Sequence, residues 1–403
     1  PVPPVAVGFE SEDDFTPKAE DHVEPEVVED VPEVETDHDV LVEAESDFPL
    51  VVEDALASGA STLHFSPVGE ELVLRARVDG VVRDLGHVTR DERDVIVERL
   101  ESEGVARTHA VATSRGAKTT LFVRDRSEAP TSIDDLGLDP DSATVLREAL
   151  DRPTGAILVC GPVGSGTTTT LYAALDAVAT PDRIVTTVEH PVEHLLDGVD
   201  QMEVDPASGR TYASVLGGLR FTDTDAVLVD DLPDREAATL ALTEAYQGRL
   251  VVAGLRAPSA AAAIVRLADM GVDPSVLAAS LGCVVSQRLA RTVCGACRET
   301  YYASPDDLAA LDHGENGSPR LLARGAGCPN CLGSGFRGRT GLFEVMPVTD
   351  ELRRLIAGSS SAKKMRKSAA ASGMRTLRQS GIRLCLDGVT TVSEITRVLG
   401  DER

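Results

Sequence analysis

The sequence has no tryptophan, and its aromatic content is only 3%. Platforms on which nucleobases could stack are therefore scarce. Positive charge is also short: 39 Lys and Arg face 66 Asp and Glu, for a formal net charge of −27. Such a balance repels nucleic acid and anionic lipid unless a local basic patch overrides it, so no nucleic-acid partner is expected. No uncharged apolar run approaches the roughly 20 residues that a membrane span requires, so direct membrane insertion is not expected. No apolar leader with a cleavage site opens the sequence, and export is not expected either. The sequence starts at Pro1 rather than at a methionine, which leaves open what precedes it.

Cysteine is sparse too, with seven in 403 residues. Four of them form two C-x-x-C pairs, Cys294/Cys297 and Cys328/Cys331. The others, Cys160, Cys283 and Cys385, lie in apolar surroundings and read as buried thiols. Paired C-x-x-C spacing with an odd cysteine left over fits metal in a reducing cytoplasm better than a disulfide framework. Two such pairs complete a tetrahedral S4 site for structural Zn2+; four free thiols or a redox pair is the competing reading. Gly295, Gly325, Gly327 and Gly333 are expected to permit the tight turns around these cysteines.

What is present suffices for two or three domains with proper cores. Residues 1–50 hold 17 Asp and Glu against the single Lys18. Through residue 46 the Glu, Asp, Val and Pro follow no helical or strand period, which predicts an acidic disordered linker. Residues 47–130 pass from helical spacing in "FPLVVEDALASGAS" to short alternating segments, a helix and a further strand, predicting a small α/β domain. In residues 131–290 buried strands alternate with helices, which predicts a mostly parallel sheet covered on both faces. Residues 291–347 contain the cysteine pairs, and 348–403 read as a helical C-terminal segment. There is no internal repeat.

The stretch "GPVGSGTTTTLY" places Gly161, Gly166 and Thr168 at the spacing of a P-loop, G-x-x-x-x-G-K-[ST], with Thr167 where the lysine belongs. A strand precedes it and a helix follows, so its backbone N–H groups and helix N-terminus suit phosphate. Gly161, Pro162, Val163, Gly164, Ser165 and Gly166, with Thr167, Thr168 and Thr169, are the candidate nucleotide site. The bland alternative is a turn followed by a Thr-rich helix start.

The words "VVEDALASGASTLHFSP", "RARVDGVVR", "GPVGSGTTTTLYAAL", "TTVEHPVEHLLDGVDQMEV", "DMGVDP", "SQRLAR" and "GCPNCLGSGFRGRTGLFEVMPVTDELRRLI" run from about residue 50 to the end. In them the sequence resembles the ATPases of type II secretion and type IV pilus assembly. The resemblance implies a RecA-like P-loop domain following the small α/β domain, with a zinc-binding insertion and a helical tail. It further implies ATP with Mg2+ as cofactor, a homo- or hetero-hexamer, and an inner-membrane platform protein as partner. The place implied is cytoplasmic, peripheral to the inner membrane.

Carried over position by position, the family's hydrolytic residues depart from their pattern. Thr167 replaces the lysine, while Thr168 keeps a hydroxyl for Mg2+. The Walker B segment reads "AVLVDDLPD", with Asp231 at the glutamate position and Asp230 at a glycine; a cation held by the two is a further possibility. "VEHP" retains Glu189, the best candidate for polarising water, and puts His190 at an aspartate, a drifted position or a new catalyst. "GLRAP" puts Arg256 at a histidine, either as substitute cation for the lysine or as a salt-bridged surface arginine. Arg75 and Arg77 match arginines that clamp phosphates, but the chain is shorter than the family between "VERLESEG" and "ATSRGAKTT". The expectation is a nucleotide-binding motor-type subunit with weak or absent ATP hydrolysis. The alternative is a non-hydrolysing pseudo-ATPase scaffold that assembles with an active paralogue or the membrane platform.

Overall fold

The computed structural model describes residues 48–123, 132–311 and 320–400. The expected acidic linker of residues 1–46 and the expected domain border at 130 lie outside the described residues.

The first sheet is antiparallel throughout. Its strands β1 (Ala60–Val68), β2 (Glu71–Val78), β3 (Val81–Val88), β4 (Ala106–Thr113) and β5 (Gly116–Val123) take the order β3-β2-β1-β5-β4. Leu63, Phe65, Leu74 and Leu121 point from alternate positions into one core, joined by Ile96 and Leu100 of the helix Arg90–Ser102. Thr89 and Glu92 cap that helix reciprocally, which fixes where it starts.

The second sheet has seven strands. In chain order these are β6 (Gly155–Cys160), β7 (Val185–Glu189), β8 (Asp200–Glu203), β9 (Ala226–Val229), β10 (Leu250–Leu255), β11 (Leu281–Val293) and, after a small hairpin of β12 (Arg298–Tyr302) and β13 (Leu321–Gly325), β14 (Phe336–Pro347). Their spatial order is β14-β11-β6-β10-β9-β7-β8, and every pairing is parallel except β11 with β14. In β6, Ala156, Leu158 and Cys160 enter one core while Ile157 and Val159 enter the other. Burial on both faces is what the near-continuous apolar strands of the sequence demand. Cys160, Cys283 and Cys385 are all buried.

The cysteine-bearing segment is not appended to this sheet but grows out of it. The expected border after residue 290 falls inside β11, whose last residue, Val293, precedes Cys294. β14 returns as the edge strand beside β11. The "RGRTG" word lies in β14, and the Asp79–Gly80 turn of the first sheet reaches it: Gly338 N–H donates to Asp79 Oδ2 at 3.0 Å and Arg339 lies 3.9 Å from Oδ1.

The C-terminal helices Leu377–Leu386 and Val392–Leu399 pack through Leu384, Cys385 and Ile395 against Leu322 and Leu342. Glu394 anchors them. Its fully buried carboxylate accepts from the Arg291 N–H at 2.9 Å and from the guanidinium groups of Arg291 and Arg397 at 2.7 and 2.6 Å. Burial alone would raise this carboxyl; hydrogen bonds from Arg397 and Arg291 instead draw it down to about 2. A group depressed from 4.5 to about 2 contributes stability that is present above pH 4.5 and lost as pH falls toward 2. Glu394→Gln is expected to cost roughly 3 kcal/mol at neutral pH, because two guanidinium groups lose their counter-charge. It should also weaken the acid dependence of stability between pH 5 and 2, as measured by denaturant titrations at each pH.

Candidate nucleotide site and tetracysteine centre

Because β6, β10, β9 and β7 run parallel, they deliver their following residues to one edge of the sheet. Ligands of open α/β sheets collect at that edge. β6 leads into the loop Gly161–Gly166 and the helix Thr167–Val178. β10 leads into Arg256, β9 into Asp230 and Asp231, and β7 ends at Glu189.

The loop is built for an anion. The helices beginning at Arg90, Pro140, Arg235, Ala260, Asp350, Ala362, Leu377 and Val392 are each capped by a Ser, Thr or Asp side chain. The helix at Thr167 has no side-chain cap: its N-cap is Gly166, left-handed at φ 83°. Its first N–H groups therefore remain available to an external acceptor. Gly161 is obligatory, since a Cβ there would lie 2.1 Å from Ser165 Oγ. Pro162, Val163 and Gly164 form the exposed tip, whereas Thr167, Thr168 and Thr169 are half-buried on the first helical turn. These residues fit a polyphosphate by their N–H groups and hydroxyls, without a cation at position 167.

The charged residues at the edge are engaged with one another. Arg256 Nε lies 3.5 Å from Asp231 Oδ2. Burial raises the Asp231 carboxyl, and Arg256 opposes that rise. Asp230 accepts from Tyr212 Oη at 2.7 Å and from the His190 N–H at 2.8 Å. Burial, with the charges of Asp231 and Glu189 adding to it, still brings Asp230 up to about 6. His190 is exposed and its Nδ1 lies 2.8 Å from Val204 O.

Glu189 is 2% exposed, and both of its carboxylate oxygens are hydrogen-bonded. It accepts from Tyr172 and Thr187 hydroxyls, and from Gln201 Nε2 at 3.1 Å. This network ties the P-loop helix, through Tyr172, to β7 and β8. Arg75 and Arg77 make their contacts within the first sheet, Arg75 with Asp84 at 3.5 Å and Arg77 with Gly80 O at 2.8 Å.

Tyr172 and Gln201 lie within words quoted above but without a role assigned to them, and nothing in the sequence singles out Tyr212. Gln287 had a signal: a polar pair, Ser286-Gln287, in the middle of the apolar strand "LGCVVSQRLA".

The second centre joins β11 to the segment before β14. The Sγ atoms of Cys294, Cys297, Cys328 and Cys331 all lie within 4.8 Å of one another. Cys294–Cys328, Cys297–Cys331 and Cys328–Cys331 are 3.9, 3.8 and 3.7 Å apart. A tetrahedron with Zn–S bonds of about 2.3 Å has edges of about 3.8 Å, so the cluster can bind zinc. The N–H groups of Cys328 and Gly335 both approach Cys331 Sγ at 3.2 Å. Burial alone would raise that thiol; these donors bring it down to about 6. Among the expected turn glycines, Gly327 and Gly333 are left-handed and Gly325 abuts Gly335, but Gly295 is neither left-handed nor crowded.

A family model described as "Type II/IV secretion system protein" matches residues 100–397. Type II secretion system protein E of Pseudomonas aeruginosa is 34% identical over 406 residues, spanning 93% of this chain and 80% of that protein. Type IV pilus assembly ATPase PilB of Acinetobacter baylyi is 32% identical over 383 residues, spanning 86% of this chain and 65% of that protein. The crystal structure of the pilus retraction motor PilT with bound ADP superposes with a TM-score of 0.58 at 21% identity, over 89% of this chain and 98% of that one. The likeness to PilT shows the fold: the expected α/β architecture, with its mostly parallel P-loop sheet, is that of these ATPases. With one third of its residues shared across nearly its whole length, the chain belongs to the type II/IV secretion system protein family.

Proposed function

We propose that this chain is a nucleotide-binding motor-type subunit of a type II secretion or type IV pilus assembly machine, with weak or absent ATP hydrolysis. The observation that carries the reading is an anion cradle without its own cation: uncapped N–H groups at Gly166–Thr169, and a threonine at position 167. The contact of Arg256 with Asp231, at 3.5 Å, supports reading it as a salt-bridged arginine rather than as the substitute cation.

Within such a subunit the loop N–H groups bind phosphate oxygens, and Thr168 supplies a hydroxyl to Mg2+. Bound ATP with Mg2+ would supply the free energy of phosphoanhydride cleavage. Asp231, one methylene shorter than glutamate, can hold the cation but reaches less far toward an attacking water. Glu189 braces the P-loop helix through Tyr172. Assembly as a homo- or hetero-hexamer on an inner-membrane platform protein, in the cytoplasm, belongs to the same proposal and rests on the family resemblance. Among the described residues no helix is long and apolar enough to cross a membrane.

The second reading, a pseudo-ATPase scaffold, is favoured by Glu189: all its observed hydrogen bonds are spent on Tyr172, Thr187 and Gln201. Binding of a fluorescent ATP analogue with Mg2+ separates the two. Micromolar affinity with little phosphate release is the expected result. No detectable binding at millimolar analogue would leave the scaffold.

A further inference from the structure

The P-loop is held from beneath by a residue outside its motif. Gln287 sits in β11 and is 1% exposed. Its Nε2 donates to the carbonyl of Ser165 at 2.9 Å. That carbonyl belongs to the peptide joining Ser165 to Gly166. The peptide is planar and trans, so its C=O and N–H point in opposite directions. Drawing the Ser165 oxygen inward to Gln287 therefore turns the Gly166 N–H outward, to the side where an anion would sit.

The pin is needed because the backbone is loose there. Gly164 and Gly166, on either side of Ser165, are both left-handed at φ 78° and 83°. Glycine tolerates either sign of φ, so the Ser165–Gly166 peptide can flip at little cost on the Gly166 side. The backbone that carries Gln287 is itself held: its main-chain carbonyl accepts from Arg288 Nη1 at 2.8 Å, and Arg288 Nη2 donates to Pro258 O at 2.7 Å. This ties β11 to the segment that follows Arg256.

The arrangement is costly for stability. Gln287 Oε1 and Ser165 Oγ are both buried without a hydrogen-bond partner. A buried polar atom in that state opposes stability, and an apolar side chain of equal size would avoid it. A residue that breaks a rule of stability beside an anion cradle is best explained by what it positions.

We infer that Gln287 is a positioning residue for the phosphate loop, fixing the Ser165–Gly166 peptide so that its N–H faces the nucleotide. The inference deepens the nucleotide-site reading and rests on it for affinity, but not for the shape of the loop. Gln287→Met keeps the length of the side chain and removes the donor. In the nucleotide-free protein, hydrogen–deuterium exchange of the Gly161 and Ser165 N–H groups, which are bonded to Leu255 O and Pro162 O, should accelerate about tenfold, while the melting temperature does not fall. Ser286→Ala, at the neighbouring buried position, should leave the loop's exchange unchanged. Affinity for the MgATP analogue should weaken about tenfold in Gln287→Met and not in Ser286→Ala. Unchanged loop exchange in a folded Gln287→Met protein would overturn the inference. If that variant fails to fold, Gln287→Leu, which also removes the donor without adding charge, is read in its place. Faster exchange in a protein whose natural form binds no nucleotide would uphold the pin and remove the nucleotide reading instead.

Discussion

Stripping zinc from this protein is expected to release one ion per chain and to unfold the cysteine-bearing turns that flank the β12–β13 hairpin. Four cysteine sulfurs at tetrahedral spacing would leave no coordination position open, so a zinc ion held there would be structural. The 3-10 turns at Gly295–Cys297 and Pro329–Cys331 enclose no sizeable apolar core of their own. Structural zinc sites bind with apparent free energies of roughly 10–16 kcal/mol at neutral pH, and where no site preforms that energy is folding energy. Cys331→Ser should therefore lower zinc content from one to near zero, by metal analysis. Limited proteolysis should open cleavage between Cys294 and Gly335. The effect should reach further, because β11 and β14 continue from the centre into the main sheet and β14 receives the Asp79 turn of the first. A purified protein with no zinc whose four thiols react freely would establish the free-thiol reading.

Much of this fold was legible because its signals are local. Parallel strands read as apolar runs such as "GAILVC" and "RLVVAGL", and C-x-x-C spacing states its own purpose. The P-loop glycines could be read in order because each answers a backbone demand within six residues. What stayed hidden depends on pairings distant in sequence. Gln287 meets Ser165 across 122 positions, and Glu394 meets Arg291 across 103. Glu189 was readable as a carboxylate by resemblance, but its hydroxyl partner Tyr172 lies 17 residues away on another element. The border expected after residue 290 lies within a continuous strand, since a change of composition at the cysteines need not end a hydrogen-bonded ladder. Arg256 left two readings open, and geometry favours the salt-bridged one, with Asp231 as its partner.

Thr167→Lys should tighten binding of the MgATP analogue at least tenfold. Position 167 opens the helix beyond Gly166 and is half-buried, so a lysine stem can lie along the loop with its ammonium over the phosphates. Unit charges at 4 Å and an effective dielectric of ~20 attract by about 4 kcal/mol; half of that is still more than tenfold in affinity. Turnover should respond less to this change alone, because Asp231 remains short and paired with Arg256. Adding Asp231→Glu should raise phosphate release by a further factor of about 10² to 10³, the usual weight of one group answering transition-state charge. The two substitutions are expected to act unequally, one on affinity and the other on rate, and that split tests where the chemistry was lost. If Thr167→Lys gains nothing, the Gly161–Gly166 loop cannot hold a polyphosphate whatever charge it carries, and the fold serves here as a scaffold. If affinity rises while the double variant stays inert, the fault lies with Glu189, whose carboxylate would then have to leave Tyr172 before any water could be polarised.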